Sequence, residues 1–308
     1  MATESDVIGL VLHFRTPERT LACLESLARQ GIRKAVLVDN SEDGGRSIHL
    51  MQCGLARLVD CGLGTEVLQP ERNLGFAAGL ALGLEHVSLH HYGPVLLINS
   101  DATLETGALA MGMDYLREAS CVSFPARMKS AGACASSLVF YQRIFALYVR
   151  TRRIGCVRYP SGCCLLFRED LVHPELFDKD FFFYGEDVML GFDLARRGSK
   201  FVECADAAVI HTGSASAKNG SMFYEYHMVR AHWLLARKLA RNGFEQGLFV
   251  IGRCMALPLR ACVRSVRSRS LMPWRGFVEA TLDVIRGRSR TITPSPVPSS
   301  NRPDVAAT

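Results

Sequence analysis

Apolar runs of strand length alternate with segments of helical periodicity through the N-terminal part of the chain. The apolar runs span 7–12, 35–38, 66–68 and 94–98, and the helical patterns span 17–31, 74–87 and 105–117. The runs are apolar at successive positions, which is typical of strands buried on both faces of a parallel sheet. The pattern therefore predicts an α/β fold with a mainly parallel central sheet and flanking helices.

The later part of the chain is less regular. The sequence predicts irregular strands over 121–158, strands over 159–168, 201–205 and 208–211, and helices over 187–197, 222–242 and 246–264. A Pro- and Ser-rich composition from residue 291 predicts a disordered tail. We therefore expect a body over 1–228, a basic helical extension over 229–290 and a tail over 291–308.

Positive charge is concentrated near the C-terminus. The whole chain of 308 residues has a net charge of +6, but residues 230–290 contain thirteen Lys or Arg and only three Asp or Glu. That region therefore has a charge of +10, which leaves −4 for the rest. It has little aromatic interleaving and no recognisable nucleic-acid motif, so no nucleic-acid partner is expected.

The stretch 247–263 within this basic region is rich in apolar residues. Arginines interrupt or follow it at Arg253, Arg260, Arg264, Arg267 and Arg269. This pattern predicts a peripheral membrane contact through 245–290, made by an interfacial helix with a basic flank. The alternative is a helical hairpin that packs on the body with solvated arginines.

Cysteine usage and targeting signals indicate a cytoplasmic protein. The eleven Cys are scattered without a Cys-x-x-Cys pair, which favours a reducing compartment. The acidic first residues do not resemble a secretory signal. The apolar stretch 247–263 is interrupted by Arg253, Pro258 and Arg260, so we expect it to be too short and too charged to span a membrane.

Polar clusters follow three of the predicted strands, at 13–15, 39–41 and 99–101. Parallel strands bring their carboxyl ends to one edge of a sheet, where ligands of such folds bind. Asp39 and Asp101 therefore suggest a nucleotide and a cation, although each could instead cap a helix or form a turn. Since no glycine-rich phosphate loop is found, a metal on Asp101 would be the natural way to neutralise a diphosphate.

The segment 177–187, with sequence FDKDFFFYGED, is the richest in candidate chemistry. Its aromatic side chains could form the wall of a sugar-sized pocket, and one carboxylate could act as a general base. Glu186 and Asp187 could instead simply favour the start of a helix. His211, at the end of a predicted strand, is either structural or a ligand of a metal or phosphate.

Together these segments resemble the inverting glycosyltransferases of family 2, which have the GT-A fold. Within that family they are most similar to bacterial rhamnosyltransferases of surface-polysaccharide assembly. The matching segments follow the family's order through residues 7–230. They are VDNS (38–41), ERNLGFAAG (71–79), INSDA (98–102), SGCCLLFR (161–168), FDKDFFFYGEDVML (177–190), ARRG (195–198) and VIH (209–211).

The resemblance implies the transfer of rhamnose or a similar hexose from a nucleoside-diphosphate sugar to a glycan or glycolipid hydroxyl, with inversion. The favoured donor is dTDP-rhamnose, with UDP- and GDP-sugars as alternatives. Asp187 would be the catalytic base with Glu186 beside it, and Asp101 and His211 would hold Mg²⁺ or Mn²⁺. The implied donor-binding residues are His13, Phe14, Asp39, Asn40, Arg72, Asn73, Gly75 and Asn99.

Three departures from the family pattern concern sugar specificity and metal binding. The first strand ends in HFR (13–15) instead of a Thr-Tyr-Asn-like cluster, and Met189 stands where rhamnosyltransferases are commonly acidic. The metal motif opens with Asn99 instead of Asp. None of these changes removes the proposed base.

Other functions remain as alternatives. A sugar nucleotidyltransferase should have a glycine-rich basic loop after its first strand, where this chain has HFRTP (13–17). A non-enzymatic protein could use the basic region to bind nucleic acid or membrane. A non-catalytic donor-binding homologue would not need Asp101, Asp187 and His211.

Overall fold

The computed structural model describes residues 3–128, 134–161, 163–211 and 220–293. The strands are β1 (Ile8–His13), β2 (Lys34–Asp39), β3 (Gly64–Leu68), β4 (Val95–Asn99), β5 (Ala102–Leu104), β6 (Cys121–Ser123), β7 (Ala126–Met128), β8 (Cys134–Ala135), β9 (Leu138–Gln142), β10 (Leu147–Val149), β11 (Cys156–Pro160), β12 (Cys164–Phe167), β13 (Phe201–Glu203) and β14 (Val209–His211). The α-helices are α1 (Pro17–Arg29), α2 (Arg46–Asp60), α3 (Gly75–His90), α4 (Ala108–Leu116), α5 (Glu186–Arg196), α6 (Met222–Lys238), α7 (Gly243–Ser268) and α8 (Met272–Ile285).

A seven-stranded sheet in the order β13-β6-β12-β4-β1-β2-β3 forms the centre of the fold. Strands β4, β1, β2 and β3 run parallel, while β12 is antiparallel to both of its neighbours. Two smaller sheets, β10-β9-β11 and β5-β14-β7-β8, lie outside it. The predicted α/β architecture, with a mainly parallel sheet, flanking helices and a C-terminal helical region, is confirmed.

Helices cover both faces of the central sheet. Successive strand residues point to opposite faces, so Val11 packs with the residues of α1, α2 and α4, whereas Leu10 packs with those of α3 and α5. This two-sided burial explains why β1, β2 and β4 appear in the sequence as continuous apolar runs.

The structure differs from the sequence prediction at two elements of the body. Helix α2 was not predicted, because its buried face consists of Ser47, Met51, Gly54 and Leu58, only two of which have large apolar side chains. The strand predicted over 159–168 is instead two strands in different sheets, β11 and β12. Ser161 continues the pairing of β11 with β9 by donating its backbone N–H to the Ser137 carbonyl; Gly162, which follows, lies outside the described residues.

The C-terminal helices pack on the body and on one another. The boundary predicted at residue 228 falls inside α6, whose Ala231 and Leu235 share a core with Val188 of α5. Helix α7 extends beyond the predicted 246–264, and α8 completes a hairpin with it. Most of the tail predicted to be disordered, 294–308, lies outside the described residues.

Helix α7 is longer and more continuous than the sequence prediction allowed. It has 26 residues, and by length and composition it could cross a membrane, with 28% of its most apolar window buried in the fold. The expectation that this stretch is too short and too charged to span a membrane was therefore wrong for its length and composition. The reason is that Pro258 is accommodated without ending the helix, so the apolar helix is longer than the stretch 247–263.

Candidate functional site

A cavity of about 310 Å³ opens at the carboxyl ends of β1, β2 and β4, next to the N-termini of α3 and α5. Nine of the predicted site residues line it: Phe14, Asn40, Asn73, Gly75, Asn99, Asp101, Glu186, Asp187 and His211. This is the edge of the sheet at which the sequence predicted a ligand site. Strand ends, two helix starts and β14 therefore converge on one space, although they come from distant parts of the chain.

Asn40 holds the loop that leads into α3. Its Nδ2 donates to the Gly75 carbonyl at 2.7 Å, and its Oδ1 accepts from the backbone N–H of Leu74 at 3.1 Å. Asn73 supports the same turn by accepting from the Gly75 N–H at 2.9 Å. The two amide side chains thus fix the conformation of the cavity wall between β2 and α3.

Gly75 allows a close backbone approach at the start of α3. Its φ is +80°, and a Cβ placed there would overlap the carbonyl oxygen of Phe182. The same carbonyl accepts the N–H of Phe76 at 2.7 Å. Glycine is therefore required both for the left-handed backbone and for the contact between α3 and the aromatic segment before α5.

Asp101 and His211 form a side-chain pair in the cavity. His211 Nε2 lies 3.1 Å from Asp101 Oδ1, because β14 pairs with β5 in a register that sets His211 opposite Ala102. Both side chains are largely buried but reach the cavity. A carboxylate and an imidazole are suitable ligands for a divalent cation whose remaining positions are filled by diphosphate oxygens and water.

Glu186 and Asp187 occupy the first turn of α5. The backbone reaches them through two consecutive left-handed residues, Tyr184 with φ 67° and Gly185 with φ 92°. This sharp turn points both carboxyl groups to the cavity instead of into solvent. The sequence GED at 185–187 thus builds a carboxylate pair at the start of the helix.

The surroundings of the two carboxyl groups disfavour their charged forms. Burial raises the pKa of Asp187 to about 6, while the backbone N–H of Val188, at 2.8 Å from Oδ1, acts in the opposite direction. Burial, reinforced by the neighbouring Asp187 charge, raises the pKa of Glu186 to about 8. In the described part of the chain, Glu186 Oε2 has no hydrogen-bond partner. At neutral pH the pair therefore offers one proton acceptor, Asp187, and one neutral acid, Glu186.

The predicted aromatic wall is present, with one exception. Phe182, Phe183 and Tyr184 line the cavity, and the ring centroids of Phe183 and Tyr184 are 4.7 Å apart. Phe181 instead fills the core between α5 and α6 and is 1% exposed. The three aromatic residues on the cavity side form a rigid apolar surface that suits the C–H face of a sugar ring.

Three predicted donor-binding residues lie outside the lining of the cavity. His13 is fully buried, and its Nδ1 contacts the Thr20 hydroxyl at 2.7 Å. Asp39 lies beneath the wall and accepts the backbone N–H of Ser41 at 3.0 Å. Arg72 is exposed on the loop before α3. His13 points to α1 because it lies on the opposite face of β1 from Leu12. The prediction that His13 contacts the donor directly is therefore wrong, and its side chain instead supports the strand end from beneath the cavity.

The cavity also has lining residues that the sequence did not single out. They include Thr16, Ser100, Ser161, Cys163 and Phe223. Ser100 and Ser161 belong to the segments 98–102 and 161–168, which resemble the family, so their positions in these segments are a signal for the site. Phe223, by contrast, lies in the first turn of α6 and reaches the site only through tertiary packing against Phe183, at 5.1 Å between ring centroids.

Comparison with solved structures identifies similar folds. GalNAc-T7, solved with UDP, GalNAc and Mn²⁺, has a TM-score of 0.55 and 12% identity, with 91% of this chain and 57% of that chain covered. TarS of S. aureus has a TM-score of 0.52 and 16% identity, with 79% and 41% covered. Its fragment 1–349 has a TM-score of 0.50 and 15% identity, with 92% of both chains covered. At these identities the likeness shows the fold alone, which is of the GT-A type.

Sequence comparison is more specific. None of the curated proteins compared with the chain matches it. The family model described as "Glycosyltransferase like family 2", however, matches residues 10–236. That range includes every residue of the cavity described above. The chain therefore belongs to the family 2-like glycosyltransferases.

Proposed function

We propose that the protein transfers a hexose from a nucleoside-diphosphate sugar to a hydroxyl group of a glycan or glycolipid, with inversion at the anomeric carbon. The observation that carries this proposal is that the Asp101–His211 pair and the Asp187 carboxylate open into the same cavity. The first pair suits a diphosphate with its cation, and the carboxylate suits an attacking hydroxyl. Rhamnose, with dTDP-rhamnose as the donor, is the sugar we favour, with UDP- and GDP-sugars as alternatives.

Asp187 is the residue best suited to act as the base. Its raised pKa, about 6, leaves it ionised at neutral pH but more basic than an ordinary aspartate. It accepts the proton of the acceptor hydroxyl while that oxygen bonds to the anomeric carbon. The bond between this carbon and the diphosphate oxygen breaks on the opposite face, so a single displacement inverts the centre.

Glu186 performs a different task from its neighbour. Because its pKa is raised to about 8, its carboxyl group carries a proton at neutral pH and can donate a hydrogen bond to an acceptor oxygen. Its Oε2 is buried without a hydrogen bond in the described part of the chain, so an acceptor hydroxyl would satisfy it. We therefore assign Glu186 to acceptor positioning.

The side chains of Asp101 and His211 would hold Mg²⁺ or Mn²⁺. A divalent cation bound there supplies positive charge to the departing diphosphate. Asn99, the last residue of β4 and two positions before Asp101, also lines the cavity and offers an amide to the same region. The chain itself fixes Asn99, Asp101 and His211 at the edge of the cavity, because they lie at the end of β4, just before β5 and at the end of β14.

We further propose that the acceptor is carried on a lipid and that the protein acts in the cytoplasm, at the inner face of the plasma membrane, in the assembly of cell-surface polysaccharide. Support comes from the basic C-terminal helices, whose α7 end lies close to the cavity through Tyr184 and Tyr224. A lipid-linked substrate would be presented at that side.

A panel of nucleotide sugars tests the chemistry. Thermal shift with dTDP-rhamnose and with UDP- and GDP-sugars, each with and without Mn²⁺, should reveal one donor that stabilises the fold only when the cation is present. That donor is then incubated with candidate acceptors, and the anomeric configuration of the product is read by NMR. A product that retains the donor's configuration would exclude the single displacement.

A further inference from the structure

The outer face of helix α7 is an exposed apolar stripe. Its members recur every three or four residues, so they lie on one side of the helix: Phe244, Leu248, Ile251, Met255, Leu259, Cys262 and Val266. Phe244 is 83% exposed and Val266 is 80% exposed. We call these seven residues the α7 stripe.

The opposite face of α7 carries arginines that point into the protein. Arg253 is fully buried, and it donates to the His232 carbonyl at 2.6 Å and to the Arg143 carbonyl at 2.7 Å. Arg264 makes a bidentate contact with Glu225 of α6, in which Nη2 donates to Oε1 at 2.6 Å and Nε donates to Oε2 at 3.1 Å. The helix therefore differs from an ordinary surface helix, because its inner face buries Arg253 beside Phe249 and Leu257 while its outer face is apolar.

The inward arginines also determine how α7 can meet a membrane. Arg253 and Arg264 attach the helix to the body near its middle and near its end. A Cβ on Gly252 would overlap the Ile144 carbonyl, so the backbone touches the body there as well. Because the helix lies along the protein over this length, its outward face, which carries the α7 stripe, is the side available to lipid, and the fold is suited to lying on a bilayer instead of crossing it.

Positive charge surrounds the stripe. Arg267 and Arg269 are exposed at the C-terminal end of α7, and Arg286 and Arg288 are exposed after α8. Further exposed apolar residues lie at the two ends of α8, with Leu271 just before the helix 78% exposed and Ile285 at its end 75% exposed. A second copy of this chain would bring the same charge of +10 to the contact, whereas an anionic membrane complements it.

We propose that the α7 stripe inserts into the headgroup region of an anionic bilayer and that the surrounding arginines contact its lipid phosphates. The position of α7 explains what such docking would achieve. Arg264 lies 4.8 Å above the ring of Tyr224, which contacts Tyr184 of the cavity wall at 5.4 Å between centroids. Docking would thus hold the mouth of the cavity near the lipid surface, whatever reaction takes place inside.

Vesicle flotation of the full chain tests this surface. The stripe variant Ile251→Gln/Met255→Gln/Leu259→Gln is compared with the control Leu50→Gln/Leu89→Gln, whose residues are similarly exposed on α2 and α3. With vesicles of phosphatidylcholine and phosphatidylglycerol, we expect the wild type and the control to float and the stripe variant to lose at least tenfold in binding. Arg267→Glu/Arg269→Glu should weaken binding to these vesicles and leave the weak binding to pure phosphatidylcholine unchanged.

Three results would overturn the proposal: no flotation of the wild type, equal flotation of the stripe and control variants, or a wild-type dimer in light scattering that the stripe variant converts to monomer. A donor thermal shift on every variant reports whether the cavity is intact. That measurement separates a failure of docking from a failure of the proposed transferase function, on which the docking proposal does not depend.

A second cluster lies at the far end of α3. Glu66 on β3, His86 in α3 and His91 just after it place their ligand atoms within 4.8 Å of one another. Glu66 Oε2 is 2.6 Å from His86 Nε2, and Glu66 Oε1 is 3.1 Å from His91 Nε2. The start of α3 lines the cavity, so the helix separates His86 and His91 from Gly75 at the cavity by 11 and 16 residues, about 17 and 24 Å.

One atom of this cluster has the environment of a ligand. His91 Nε2 is buried and, among the described residues, makes no hydrogen bond, although it lies near a carboxylate oxygen. Two imidazole nitrogens and one carboxylate form a donor set that suits Zn²⁺ and leaves a coordination position for water. The geometry points to a Zn²⁺ site that joins the edge strand β3 to the end of α3.

Metal binding by the metal-free protein tests the site. Zn²⁺ is titrated in competition with a chromophoric chelator into the wild type, His86→Ala/His91→Ala and the control His49→Ala, which alters an exposed histidine on α2. The wild type and the control should bind one Zn²⁺ more than the double variant. A His211→Ala background removes binding at the cavity. Equal stoichiometry in the control and the double variant would refute the site.

Discussion

Asp101 Oδ1 and His211 Nε2 are 3.1 Å apart although the two residues are separated by 110 positions in the chain. The short strands β5 and β14 bring them together, because their antiparallel pairing sets His211 opposite Ala102. The pair borders the same cavity as Asp187. The proposed function assigns Asp101 and His211 to the diphosphate and Asp187 to the acceptor. The two assignments can therefore be tested separately.

Removal of either member of this pair should weaken cation-dependent donor binding. We expect Asp101→Asn and His211→Ala each to lower the affinity for a nucleoside diphosphate with Mn²⁺ at least tenfold. In the double variant the loss of binding free energy should be smaller than the sum of the losses in the two single variants, because both side chains act on one cation. Calorimetric titration with and without Mn²⁺ measures this, with the exposed His49→Ala as the control. An unchanged affinity in Asp101→Asn would remove that residue from the site.

The proposed base can be separated from donor binding. Asp187→Asn keeps the shape of the side chain but cannot accept a proton, so we expect transfer to fall by a factor of about 10² to 10⁴. Donor affinity should remain within about twofold. Asp193→Asn, on the same helix and also partly buried, is the matched control and should retain activity. Comparable rates for Asp187→Asn and Asp193→Asn would contradict the assignment.

The raised pKa values predict how activity depends on pH. Transfer should increase as pH rises through about 6, because Asp187 must lose its proton to act as a base. In Glu186→Gln this limb should remain near pH 6, since Glu186 is already neutral there. A pH profile of kcat/KM for both proteins measures the limb. If kcat/KM of the wild type showed no increase near pH 6, a group other than Asp187 would be the base.

Glu186 also predicts a change in stability with pH. Its folded-state pKa is raised, so the neutral form stabilises the fold at low pH, and this contribution is lost as pH rises through about 8. Because the unfolded carboxyl ionises above its ordinary pKa of 4.5, the loss begins there and is complete only above about 8. Glu186→Gln should therefore unfold at a higher temperature than the wild type at pH 9 and at a similar temperature at pH 4. Scanning calorimetry at the two pH values makes the comparison. If the two proteins differed equally in unfolding temperature at both pH values, burial of the Glu186 charge would not be the cause of the difference.

Much of the site was predictable because strand ends in a parallel sheet converge. Asp101 and Asn40 follow buried apolar runs, and the GED sequence at 185–187 precedes a helical pattern. Periodicity could not show which face a polar residue takes at the last position of a strand. His13 therefore appeared to be a cavity residue, but it packs on Thr20 of α1.

Other features depend on contacts that local sequence does not contain. Phe181 and Phe182 are adjacent aromatic residues, yet one enters the core beside Ala231 and the other lines the cavity. Phe181 packs with Ala231 and Leu235 of α6, a contact that the local sequence does not specify. The exposure of the α7 stripe could not be predicted either, because the pattern of apolar and charged residues does not state which side of the helix meets the body.

Gly75 provides a test of the close approach between α3 and the aromatic segment. Gly75→Ala combines two costs, a left-handed backbone at φ +80° and an overlap with the Phe182 carbonyl. Gly31→Ala has only the first cost, since its φ is +83° and a Cβ there would meet open space. We expect Gly75→Ala to lower the free energy of unfolding by about 1–3 kcal/mol more than Gly31→Ala, the usual cost of overpacking. It should also weaken donor binding, because Asn40 and Asn73 hold this same turn. Chemical denaturation and donor titration of the two variants measure both effects, and equal losses in the two would mean that the α3 turn tolerates a side chain.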